Sequence, residues 1–221
     1  LNAEVKKVLK NATGFMIQLA DGTKDTADKV IVATGGISYE STGSTGDGYR
    51  FAEEFGLKVT ECCPSLVPFN VREDWVKELQ GLSLKNVSIL IKDGKKKLFS
   101  DFGEMMFTHF GVTGPLILTA SSVCARKIRE KEVKLYLDLK PALTKEQLDA
   151  RILREFDANA NKQFRNVLPS FLPSKLVSVM YELCGIAPEK RIHDITKEER
   201  ERFLSCLKEL ELTVTGLRGY N

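Results

Sequence analysis

Gly35 and Gly36, with Gly43, Gly46 and Gly48 downstream, sit between an apolar run and a short amphipathic segment. The run Val30-Ile31-Val32 reads as a strand buried on both faces, spanning Lys29 to Val32. The chain then crosses a loop rich in glycine, serine and threonine. It resumes as a helix over Thr45 to Phe55, with Gly56 at its end. Strand, glycine-rich crossing and helix N-terminus together bring backbone N–H groups against an anionic or dinucleotide ligand. Gly35 and Gly36 let the backbone turn off the strand and approach a flat ligand without a Cβ in the way. Thr45 and Asp47 carry short oxygen-bearing side chains suited to capping the helix. No Gly-Lys-Ser/Thr closes the loop, which excludes a phosphate loop of the nucleotide-hydrolase type. The fingerprint G-x-G-x-x-G is also not matched directly after a first strand.

Other chemistry-bearing residues are few. His109 is one of two histidines and sits in Thr108-His109-Phe110-Gly111-Val112-Thr113-Gly114-Pro115. It is a weak catalytic candidate, and two readings stay open: a proton donor near neutral pH, or a histidine tying its loop through hydrogen bonds. His193 reads as a surface residue. The five cysteines (Cys62, Cys63, Cys124, Cys184, Cys206) have no C-x-x-C or metal spacing, so no metal site is expected. Their odd number fits a reducing cytoplasm, and a Cys62–Cys63 disulfide would be strained.

The elements around these residues can be read from periodicity. Glu4 to Leu9 and Gly14 to Leu19 form two strands, and a turn at Asp21-Gly22 leads into the Lys29 strand. Leu57 to Glu61 reads as a further strand. Pro64 and Pro68 mark a domain junction. Beyond it, Val87 to Ile91 and Lys97 to Phe99 form a hairpin about Asp93-Gly94. Met105 to Phe107 and Val133 to Leu139 add strands, suggesting a small barrel or sandwich. Thr113 caps a helix that begins at Pro115 and covers Leu116 to Ile128. Thr144 to Leu210 is helical, with capping boxes at Thr144 and Thr196 and a helix start at Pro173-Ser174 ended by Gly185. Leu212 to Asn221 reads as a strand returning toward the first domain.

Composition excludes several classes. The 221 residues are 43% hydrophobic and 29% charged, with a net charge of +3. That is too little charge to argue for nucleic acid or an acidic membrane surface. No apolar run approaches a membrane span. Lys95-Lys96-Lys97 reads as a solvated hairpin edge, since no aromatic residues interleave it as a stacking surface needs. The first residue is Leu1 rather than Met, so the start is expected not to be a natural one.

Ala-Thr-Gly-Gly at 33–36 followed by Thr-Gly-Ser-Thr-Gly-Asp-Gly at 42–48 resembles the BaiN/YhiN-type, aminoacetone-oxidase-like FAD-dependent flavoproteins. Pro64-Ser65-Leu66-Val67-Pro68, the His109 segment from Met106 to Pro115 and Leu212-Thr213-Val214-Thr215-Gly216 match in order and spacing. The resemblance implies a fragment of an α/β FAD-binding domain at 1–64 and an α+β insert domain at 65–210. The insert would comprise a β-barrel (about 65–140) and a helical bundle (about 141–210), with a returning strand at 211–221. It implies cofactor contacts from Ala33, Thr34, Gly35, Gly36, Thr45 and Gly46, with Val5 at the adenine edge. The parent would be an FAD-dependent oxidoreductase acting on a small-molecule substrate, with NAD(P)H as a possible electron donor. The chain itself resembles an excised middle section. It lacks the pyrophosphate-binding unit, so it is expected not to retain FAD, with self-association through exposed strand edges a possible consequence. Neither nucleic acid nor membrane is expected as a partner. The alternative is a non-enzymatic interaction or dimerisation module.

Overall fold

The computed structural model describes residues 3–219. They fall into two compact units, residues 3–62 and residues 63–219.

The first unit opens with an antiparallel meander: β1 (Val5–Lys10), β2 (Phe15–Leu19) and β3 (Lys24–Ala27). Its turns are made by side chains mimicking backbone. Asn11 Oδ1 accepts the Thr13 amide at 2.9 Å, and Asp21 Oδ1 accepts that of Thr23 at 2.9 Å. The polar strand β3 carries no hydrophobic alternation, and periodicity does not find it. The expected strand from Lys29 to Val32 is absent. No strand lies beside it among the described residues, so its amides and carbonyls have no ladder. Ile31 is 91% and Val32 48% exposed, whereas both were expected to be buried. Leu57 to Glu61 is likewise irregular.

The helix α1 (Asp47–Glu54) is shorter than expected, and Gly46 rather than Thr45 or Asp47 takes the cap position. Gly46 has φ +82°, a conformation that L side chains rarely adopt. Phe51 is buried, and the Phe15 and Phe55 rings meet edge-on at 6.2 Å. Arg50 fastens α1 to β1 by donating to the Lys6 carbonyl at 2.8 Å.

The second unit is a closed antiparallel barrel. Its strands are β4 (Phe69–Val71), β5 (Ser83–Asp93), β6 (Lys96–Thr108), β7 (Gly111–Thr113), β8 (Val133–Asp138) and β9 (Leu210–Leu217). They run in the order β4-β7-β6-β5-β8-β9 and close through β9 against β4. Of the segment expected to return to the first domain, residues 212–217 belong to the closing barrel strand; Tyr220 and Asn221 lie outside the described residues. Strand β6 is one 13-residue strand rather than two short ones. Alternation sets the interior, as in β8, where Val133, Leu135 and Leu137 are buried.

The helix α2 (Pro115–Glu130) packs Leu116, Ile117, Ala120, Cys124 and Ile128 into the core. Its cap is Gly114, not Thr113, which ends β7. A Cβ at Gly114 would stand 2.9 Å from the Met105 Cα, so β6 leaves no space for a side chain.

Between β8 and β9 stand α3 (Lys145–Ala158), α4 (Phe164–Val167), α5 (Ser174–Cys184) and α6 (Lys197–Lys208). Both capping boxes form at Thr144 and Thr196. Phe203 stacks on Phe156 at 6.5 Å and meets Phe164 and Phe171 edge-on at 5.5 and 5.6 Å. Lys208 ties this layer to the barrel. Its ammonium donates to Asp138 at 2.5 Å and to the Leu143 and Lys140 carbonyls at 2.7 and 3.2 Å. No helix among the described residues is long and apolar enough to cross a membrane.

Candidate functional site

The glycine-rich crossing folds back on the start of α1. The Gly46 amide donates to the Gly36 carbonyl at 3.0 Å, closing the loop between them. Gly46 in turn accepts from the Tyr49 amide at 3.0 Å, beginning the helix. Three glycines make this closure possible. A Cβ at Gly35, where φ is +74°, would stand 2.8 Å from Ser44 Oγ. At Gly46 it would stand 2.9 Å from Ile37 Cγ2, and at Gly48 2.7 Å from Thr34 Oγ1. Ala33, Thr34 and Gly35 are exposed, Gly36 and Gly46 half-buried, and Thr45 exposed. The structure thus brings 34–36 and 44–48 together.

Val5 lies elsewhere in the unit, half-buried on β1 opposite Leu19.

Asp47 opens the helix as its first residue. Arg50 donates to it at 2.8 Å and Thr45 at 3.0 Å. The Arg50 hydrogen bond, then that of Thr45, holds its carboxyl below the ordinary range. The helix end therefore already carries an anion facing its dipole. Arg50 also reaches Glu54 at 3.1 Å. Sequence reasoning overlooked Arg50 and Ser44. The Asp-x-x-Arg-x-x-x-Glu spacing signals the intrahelical pairs, but nothing local signals the long reach of Arg50 to Lys6.

His109 is exposed in the turn between β6 and β7 and meets the Phe110 ring edge-on at 5.0 Å. The turn is tied by Thr108 Oγ1, which accepts the Gly111 amide at 3.2 Å. On the other side, the Arg218 guanidinium lies 4.5 Å over Phe110. His193 is exposed, with its Nδ1 2.8 Å from the Ala160 carbonyl.

None of the five cysteines is in a disulfide. Burial pushes the Cys124 and Cys184 thiols up to about 11, leaving them protonated and unreactive near neutral pH. No His, Cys, Asp and Glu cluster among the described residues could hold a metal ion.

Residues 33–35 are exposed beside a folded helix start, which leaves room for a flat cofactor against them. A phosphate is disfavoured at this helix start by the Asp47 carboxylate in its first turn.

Curated relatives match nearly the whole chain. The Escherichia coli (strain K12) ribosomal RNA dihydrouridine synthase is 29% identical over 220 residues, 100% of this chain and 52% of the relative. The Haemophilus influenzae protein of the same name is 31% identical over 208 residues, 93% of this chain and 48% of the relative. The 3-dehydro-bile acid delta(4,6)-reductase of Clostridium scindens is 28% identical over 219 residues, 98% of this chain and 53% of the relative. The chain thus spans about half the length of these relatives. Residues 63–221 match the family model described as the HI0933-like protein barrel and H2TH domain, and the chain belongs to this HI0933-like family.

Proposed function

We propose that the protein carrying this chain is an FAD-dependent reductase of the BaiN/YhiN-type branch. It would saturate a carbon–carbon double bond conjugated to a carbonyl. The observation that carries this reading is the closure of the Gly36 loop on Gly46, which leaves residues 33–35 exposed beside the start of α1. Ala33, Thr34, Gly35, Gly36, Thr45 and Gly46 would line the uncharged ring side of the cofactor, and Val5 the adenine edge. The Asp47 carboxylate favours that neutral portion over the pyrophosphate at this position. When bound, the flavin would supply a hydride and be re-reduced by NAD(P)H.

The relatives' names support the substrate chemistry. Dihydrouridine is uridine whose ring double bond, conjugated to a carbonyl, has been saturated. A delta(4,6)-reductase acting on a 3-dehydro bile acid reduces double bonds in line with a ketone. In both, saturation would add a hydride to a conjugated alkene carbon activated by the carbonyl, and a proton to its neighbour.

The test uses the protein at the length of its relatives. Gly46→Val places a branched side chain where φ is +82° and Ile37 is 2.9 Å away. Flavin per polypeptide is expected to fall several-fold, with the melting of the barrel unit as the control for folding. Wild-type flavin content in the variant would remove this loop from the cofactor site. A parent that binds no flavin at all would instead support the interaction module.

A further inference from the structure

We infer that the outward face of β6, β5 and β8 docks single-stranded or looped RNA, stacking bases on Phe102 and Tyr136 and holding phosphates on Lys92 and Lys97. This names the substrate class for the reductase reading and rests on it.

Register carries the argument. On β5, Ile89 and Ile91 point into the core while Ser88, Leu90 and Lys92 face out. Ladder pairing extends these into three rows across the strands: Phe102, Ser88 and Asp138; Ser100, Leu90 and Tyr136; Lys97, Lys92 and Lys134. Aromatic residues therefore stand beside the lysines although the linear run at Lys95 to Lys97 contains none. This changes the expectation drawn from the sequence, which judged interleaving along the chain rather than across the sheet.

The face is built to receive a ligand. Phe102, on a barrel strand, is 56% exposed. The Lys92 ammonium lies 5.4 Å from the Tyr136 ring centroid. A groove of about 510 Å³ lies along the same face, lined by Ser88, Leu90, Lys92, Ser100, Tyr136 and Asp138 among others.

Acidic groups near the groove are largely compensated. Asp138 is held by Lys208 at 2.5 Å, and Glu211 by Lys134 at 2.6 Å. Asp93, at the hairpin end, is paired with Lys131 at 2.7 Å. Glu209 remains at the rim. Among the described residues no carboxylate pairs with Lys92, Lys95 or Lys97, so their charges remain for a polyanion.

Phe102 and Tyr136 lie on strands two ladder spacings apart, about 10 Å, with Ser88 and Leu90 between them. That separation suits bases splayed out one by one, and the Ser88 and Ser100 hydroxyls can bond base edges or a ribose 2′-OH. A duplex offers no free base faces and would gain only the lysine contacts.

The test uses the 221-residue chain and a fluorescein-labelled single-stranded oligouridylate, followed by anisotropy across a salt series. Binding is expected to weaken with salt, and Lys92→Gln with Lys97→Gln should lower the logarithmic slope by about 1.4. Phe102→Ala should weaken binding about tenfold with little change in slope. Both sites are on the barrel exterior, and unchanged thermal melting shows that the variants fold. A Lys7→Gln, Lys10→Gln variant in the meander should bind like wild type. No binding would overturn the inference. So would binding matched by dextran sulfate and insensitive to Phe102→Ala, which marks a mere polyanion surface. The readout needs no flavin. Absent RNA binding with intact reduction of an enone sinks this inference alone; RNA binding by a parent without flavin sinks the reductase reading instead.

Discussion

Arg50 shows how one side chain couples distant segments. Its guanidinium spans Asp47, Glu54 and the Lys6 carbonyl, so the start of α1, its end and β1 are fastened at one point. The intrahelical part was legible as spacing; the contact with β1, 44 residues away, was not. The cysteines give a second test at this scale. Cys124 and Cys184 are fully packed, with thiols pushed to about 11, while Cys62 and Cys63 are half-buried. An Ellman-type reagent at neutral pH is expected to label Cys62 and Cys63 in the native protein. Cys124 and Cys184 should react only after unfolding. Because their folded pKa is raised, burial of the two thiols contributes stability below the ordinary thiol range. That contribution is lost as pH rises toward about 11. Rapid native labelling of Cys184 would show that the packing around α5 and α6 is wrong.

Elements with strong local signals were the ones the sequence made plain. The boxes at Thr144 and Thr196 form as their Thr-x-x-Gln and Thr-x-x-Glu spacing implies, with amide-to-hydroxyl distances of 3.2 and 3.3 Å. Thr144→Ala and Thr196→Ala should each cost about 1 kcal/mol, read as a lower midpoint in urea at unchanged slope. A loss of several kcal/mol would mean that the threonines do more than cap. Elements defined by partners were not legible. The polar strand β3 forms because β2 offers a ladder, while Lys29 to Val32, far more strand-like in composition, has none among the described residues. Strands β4 and β7, three residues each, are too short for any period to register. The helix starts at Gly46 and Gly114 were misassigned to neighbouring threonines because positive φ, not side-chain oxygen, decides both caps.

For the whole molecule, the fold class of barrel plus helices was readable from alternation giving way to helical periodicity. Barrel closure was not, because it depends on β9 meeting β4 across nearly the full second unit. The candidate site was legible in its glycines but not in the side chains that pack against them. A boundary follows for stability. Residues 63–219 should melt cooperatively on their own, since they contain the complete barrel and its core. Residues 65–210 should not, because they omit most of the strand that seals two neighbours. Equal cooperativity of the two fragments would show that β9 is dispensable. The Thr213 amide on β9 donates to Glu73, 140 residues earlier, and β4 and β9 pair beside it. High contact order of this kind slows folding, since the chain closes a very long loop before any ladder energy returns. On a ribosome the barrel would stay open until β9 has cleared the exit tunnel. Helices α3 to α6 emerge earlier and can gather around Phe203 in the meantime. During that interval β4 and β8 present bare edges, and the nascent chain is at its most vulnerable to pairing with a neighbour.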